Sequence, residues 1–137
     1  MPPRLDTLAK GHQLPSLALE LSPEWAREYV AAVEDGAIGA LDGEFVPPMA
    51  VVALGSRALF EGAGRQRGAV HLGQEVEFVR PVRRGERLTA SARVVSRGER
   101  QGWVLMGIEM KVEDQGGLPV MTGRATLTMP AGGEREA

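Results

Sequence analysis

VPPMAVVALGSRALFEG, Val46 to Gly62, is the stretch whose reading decides the fold. It opens on a proline pair, and proline suits the first helical turn, where its missing N–H would have no intrahelical partner. After Pro48 no polar residue occurs until Ser56. At helical spacing Met49, Val52, Ala53, Ser56 and Phe60 share one stripe, and Val51, Leu54, Ala58 and Leu59 fill most of the rest. A helix apolar nearly all round is expected to be buried. Its small residues, Ala50, Ala53, Gly55, Ser56 and Ala58, would let another surface approach closely.

Working outward, the downstream chain reads as four strands. His71–Val79 comes first, with Val70, Leu72, Val76 and Phe78 expected on one face and His71 on the other. Arg87–Val95 alternates Leu88, Ala90, Ala92 and Val94 against Arg87, Thr89, Ser91 and Arg93. Trp103–Val112 puts Val104, Met106, Ile108, Met110 and Val112 together. Val120–Met129 does the same with Met121, Ala125, Leu127 and Met129. Period-two alternation of this kind marks half-buried strands, and the Gly-containing RGERQG and DQGG segments mark the reversals. The outward faces mix Glu75, Glu77 and Val79 with Trp103 and Leu105, which suggests a subunit contact.

Upstream, Leu14–Leu21 alternates as a short strand, kept to a sheet edge by Pro15. Ser22-Pro23-Glu24 starts a second helix that Gly36 ends. Residues 1–13 are expected to form a flexible arm and 131–137 a flexible tail, leaving 14–130 as one domain. The predicted class is α+β: one long central helix wrapped by an antiparallel meander.

A chain of 137 residues, 43% hydrophobic, suffices for one domain with a real core. The net charge of −2 without a cationic cluster argues against nucleic acid. No cysteine is present, which removes disulfides and thiolate chemistry, and two histidines far apart make a metal site improbable. No cofactor, metal or membrane span is expected, and the N-terminus has no apolar signal core, so the expected location is cytoplasmic. Asn and Cys are absent and arginine far outnumbers lysine, a bias that suits a thermophile.

The order of elements resembles the hot-dog fold. "VHLGQEVEFVRPVRRGERLTASARVVS" followed by "EDQGGLPVMTGRATLTMP" resembles the N-terminal MaoC-like dehydratase domain. The shared pattern is a strand ending in Phe78, then Arg80-Pro81, a Gly85-Glu86 turn and Leu88-Thr89. "LSPEWAREYVAAVED" is similar to the family's first helix, and "FVPPMAVVALG" sits where its central helix begins. The resemblance implies binding of acyl thioesters such as acyl-CoA, and association with another hot-dog chain as a homodimer or hetero-oligomer. Catalytic members carry Asp-x-Asn-Pro-x-His after the first helix, where Asp and His act through a water. Here that stretch is Glu34 to Gly43, with neither Asn nor His; only Asp35 matches. The implied role is therefore the non-catalytic partner in a 3-hydroxyacyl-thioester dehydratase or enoyl-CoA hydratase.

Candidate residues follow. The acyl chain would run along Met49, Val52, Ala53 and Phe60, with the Ala50 and Val51 amides at the positive helix end offered to the thioester oxygen. Arg65, Arg67, Arg83 and Arg84, with Arg80 near them, could meet CoA phosphates. Asp42 or Glu44 would serve a rival reading, an acyl-CoA thioesterase with a carboxylate base. His71 is a further catalytic candidate. A third reading is a non-enzymatic oligomer that binds a hydrophobic small molecule.

Overall fold

The computed structural model describes residues 3–20, 45–64 and 66–133. The helix expected over Ser22–Gly36 lies outside them, as do Asp35, Asp42, Glu44 and Arg65. Among the described residues one α-helix, α1 (Pro48–Ala63), rests on a five-stranded antiparallel sheet. Its strands are β1 (Leu17–Glu20), β2 (Val70–Phe78), β3 (Arg87–Arg100), β4 (Trp103–Asp114) and β5 (Pro119–Pro130). Each expected strand is present, and the prolines at 47 and 48 set the helix start as expected.

Spatial order is β1-β3-β4-β5-β2. Only β3, β4 and β5 form a meander. β2 does not pair with β3, its neighbour in sequence, but crosses to the far side of β5. The crossover is held by two backbone bonds: Val79 N–H to Val120 C=O (2.9 Å) and Val46 N–H to Val82 C=O (2.8 Å). β3 and β4 extend beyond the expected turn because Gln101 (φ 53°) and Gly102 (φ 81°) reverse the chain in two residues. Two successive positive φ values match the twist of a two-residue hairpin.

The inward rows Leu88/Ala90/Ala92/Val94, Val104/Met106/Ile108/Met110/Val112 and Met121/Ala125/Leu127/Met129 are all buried, as the alternation requires. α1 packs closely at two glycines, Gly55 against these rows and Gly62 against the segment before β1. A Cβ on Gly55 would stand 3.2 Å from Met121 Cε, and one on Gly62 would stand 3.1 Å from Leu14 Cβ. The N-terminal half of α1 (Ala50, Val51, Leu54), with Ala58 beyond its midpoint, shares a core with Val82, Leu88, Val112 and Val120. Its C-terminal end (Leu59, Ala63) shares another with Met106, Ile108 and Leu127.

Three features differ from expectation. First, α1 is not buried all round: Met49, Ala53 and Arg57 form an open side, with Met49 56% exposed. Second, β2 carries a bulge at Leu72, between His71 and Gly73. The extra residue reverses the alternation. Val76 and Phe78 therefore share the helix-side face with His71, while Val70 lies on the outer face opposite Thr128. Third, residues 3–14 are docked rather than loose. A 3-10 turn (Leu5–Thr7) buries Leu5 and Asp6, and Leu8 and Leu14 are buried with them. Beyond β5, Ala131 N–H bonds Gly102 C=O and Gly132 N–H bonds the Asp6 carboxylate, so residues 131–132 are tied down as well.

Candidate active site

The start of α1 is built from the bridge between Phe45 and Arg83, whose guanidinium carbon sits 5.4 Å from the Phe45 ring centroid. Pro47 is buried and Met49 stands exposed beside it. Pro48 has no N–H, and Ala50 spends its own on the Pro47 carbonyl at 2.9 Å. Of the two amides expected to meet a thioester oxygen, that of Ala50 is thus already paired within the first turn. The side chains expected along an acyl chain divide: Met49 and Ala53 lie on the open side of α1, Phe60 is half-buried, and Val52 is buried.

The expected arginine cluster is also divided. Arg83 and Arg84 stand at the turn before β3, beside the start of α1. Arg67 stands in the turn after its end, near Gly133. Sixteen helical residues separate the two groups, roughly 24 Å of rise, so one phosphate group cannot touch both. Nor is Arg80 open to a ligand. It forks onto Glu86 (2.7 and 3.1 Å) and reaches Asp114 at 3.0 Å. Asp114 in turn accepts the Gly116 and Leu118 N–H groups of the β4–β5 turn.

This clamp joins the crossover, β3 and the β4–β5 hairpin, and it predicts an acid-sensitive fold. Arg80 hydrogen bonds hold the Glu86 carboxyl below the usual range, while the Leu118 N–H, with Arg80, does so for Asp114. Groups with depressed folded pKa values stabilise the fold above their unfolded values and lose that contribution as pH falls through the folded ones. Melting temperature should therefore drop as pH is lowered from about 5 toward 3. The drop should be shallower in Arg80→Met; equal slopes in a melting series would contradict the clamp.

Both imidazoles of the chain lie toward the C-terminal half of α1. His71 pairs in register with Leu127, which belongs to the core around Leu59 and Ala63. The other end of β2, at Phe78 opposite Met121, belongs to the N-terminal half, so His71 is roughly 20 Å along the strand from that end. His12 accepts Val94 N–H through its carbonyl and lines a cleft of about 650 Å³ with Glu61 and Gly62. That cleft was missed from the sequence because its two walls are almost fifty residues apart.

A second cavity, about 670 Å³, opens on the outer face of the sheet among Glu75, Glu77, Glu109, Lys111 and Arg124. Glu75, Arg124, Glu109 and Arg93 are cross-strand neighbours, one row of alternating charge over four strands. Alternation predicts which residues face outward, but only strand order reveals that row.

No helix among the described residues is long and apolar enough to cross a membrane. Among curated protein sequences none matches this chain. Solved structures do. The (R)-hydratase from A. caviae involved in PHA biosynthesis superposes with a TM-score of 0.73 at 24% identity, over 90% of this chain and 98% of that one. The MaoC-like dehydratase from Rhodospirillum rubrum gives 0.72 at 16% identity, over 98% of each chain. The C-terminally truncated HadBC complex, a 3R-hydroxyacyl-ACP dehydratase from Mycobacterium tuberculosis, gives 0.68 at 25% identity, over 90% of this chain and 99% of that one. The model of the FAS1-like dehydratase domain region matches residues 10–123, a span that takes in α1 and nearly all the sheet. With that model matched over most of the chain and the fold of these structures agreeing, the chain belongs to the FAS1-like, MaoC-like dehydratase family of hot-dog fold.

Proposed function

We propose that this chain is the acyl-thioester-binding, non-catalytic member of a hydratase or dehydratase pair, whose partner chain supplies the reacting Asp and His. One observation carries the reading: the chain's two histidines both lie toward the C-terminal half of α1, and neither stands at its start. Adding water to an enoyl thioester, or removing it, needs a group that takes and gives a proton near neutral pH. Losing such a group costs on the order of 10²–10⁴ in rate. In this reading the open stripe of α1, Met49 and Ala53 with half-buried Phe60, meets the acyl chain. Arg83 and Arg84, next to the helix start, meet CoA phosphate. The HadBC structure is a complex of hydroxyacyl dehydratase chains, which supports pairing with a second chain.

The test uses the purified chain and crotonyl-CoA. Calorimetry should detect binding, weakened in Met49→Lys, while the enoyl absorbance stays constant. Hydration at enzyme-like rates by the chain alone would refute the non-catalytic role. Absence of binding heat would refute the ligand.

A further inference from the structure

We propose that the outer face of the sheet, the side away from α1, seats a second copy of this chain, the two sheets stacking about a two-fold axis that runs parallel to the strands between β4 and β5. The contact leaves α1 uncovered and involves no thioester, so it stands apart from the functional reading above.

The charged row on this face decides the geometry. In spatial order it reads Glu75 on β2, Arg124 on β5, Glu109 on β4 and Arg93 on β3. Although Arg93 reaches Glu109 at 3.5 Å, their side chains stay 49% and 46% exposed. A two-fold axis parallel to the strands keeps each residue's height and reverses the strand order. Set between β4 and β5, it lays Glu75 over Arg93 of the second copy and Arg124 over Glu109 of the second copy. With the symmetric pairs, every charge of the row meets its opposite. Set on β5, the axis would lay Glu75 over Glu109; set on β4, Arg124 over Arg93. An axis across the strands through this row would lay each charge over its like. One stacking of this row is therefore favoured over these alternatives by charge. Aligned sheets cross at about 30°, which shifts the outlying Glu75 and Arg93 by only about 4 Å, within the reach of an arginine.

The neighbouring rows agree with that axis. Val70 is 51% exposed, and Trp103 and Leu105 are each 52% exposed, an apolar end on an otherwise polar face. Exposed apolar surface gathered in one place marks an interaction site. The axis sets Val70 over Gly98, Leu105 over Thr128 and Trp103 over Pro130 of the second copy. Between this end and the charges lie Gly73, Thr126, Gly107 and Ser96, small enough for two sheets to close to about 10 Å. On the other side of the charged row, Glu77 has only Thr122 beside it in the sheet and gains Arg93 of the second copy diagonally. One like-charge diagonal, Lys111 to Arg124, is offset by the Glu109 that lies over that arginine. From Thr122 to Pro130, four strands wide, the face covers about 1,000 Å² over two copies, the lower bound of a specific interface.

The chain has no cysteine, so Thr126→Cys supplies a single thiol beside the axis. Stacked sheets hold the two thiols roughly 9 Å apart, within a short bismaleimide, whereas sheets joined side by side along β2 hold them about 14 Å apart. Thr126→Cys should cross-link in the wild-type background. It should also do so with the row inverted, Glu75→Arg/Arg93→Glu/Glu109→Arg/Arg124→Glu, because alternation is kept. In an equimolar mixture of the two, read by mass, self-linked dimers should exceed mixed ones on the order of tenfold, since mixing opposes like charges along the whole row. Should the inverted chain fail to fold, Leu105→Glu replaces it, and cross-linking should fall on the order of tenfold as a carboxylate is carried into the contact. No cross-link in the wild-type background would overturn the proposal. So would a mixture that pairs at random, or a folded Leu105→Glu chain that links as before.

Discussion

Ile108→Ala is expected to cost about 2–5 kcal/mol of folding free energy. Ile108 is fully buried on the central strand β4, among Val94, Met106, Met110 and Ala125. Truncation removes its transfer free energy and leaves a cavity beneath α1 that strands paired on both sides cannot close. Domains of this size have about 5–15 kcal/mol to lose, so the melting temperature should fall by roughly 10 °C or more. In urea the midpoint should move with the slope unchanged. The next residue, Glu109, faces outward, and Glu109→Ala should stay within about 0.5 kcal/mol. Similar costs for the two would mean that the faces of β4 are misassigned.

Gln66→Leu should cost about 1–3 kcal/mol, although glutamine in a polar turn has no obvious reason to matter. Gln66 is only 4% exposed. Its Oε1 accepts the buried Asp6 N–H at 3.0 Å, and its Nε2 donates to the Pro130 carbonyl at 2.8 Å. Leucine fills the space but leaves the Asp6 N–H without a partner. Asp6 itself is 3% exposed, with Arg4 and the Gly132 N–H on its carboxylate and Arg97 on its carbonyl. The loss should therefore loosen the N-terminal turn and the end of β5 together. Hydrogen exchange at residues 5–8 and 130–133 should quicken in step; a change at one segment alone would sink the linkage.

Much of the architecture was legible beforehand, for local reasons. The Pro47-Pro48 pair marks where a helix can begin without wasting donors. Alternation in β3, β4 and β5 reports which side chains face the core, because successive Cβ atoms point to opposite faces of a sheet. The likeness of Phe78, Arg80-Pro81 and Gly85-Glu86 to a family pattern was likewise readable. The candidate site was legible only in part. The start of α1 could be placed, but the pairing of the Ala50 amide within the first turn could not. Arg80 reads as one more cation of a basic rim; its commitment rests on Glu86 across the turn before β3 and on Asp114, thirty-four residues away.

By itself the sequence determined the helix, the four long strands, their core-facing sides and the absence of an Asp-x-Asn-Pro-x-His segment. Those properties are set within a few residues of chain, by side-chain period, by proline and by residue identity. Only the tertiary structure decided that β2 passes to the outer edge beyond β5, that Leu72 bulges and turns His71 to the helix side, and that Asp6 and Gln66 tie the two ends together. Strand neighbours and buried polar partners are chosen by contacts between distant segments, and alternation within one strand is the same whichever neighbour it meets.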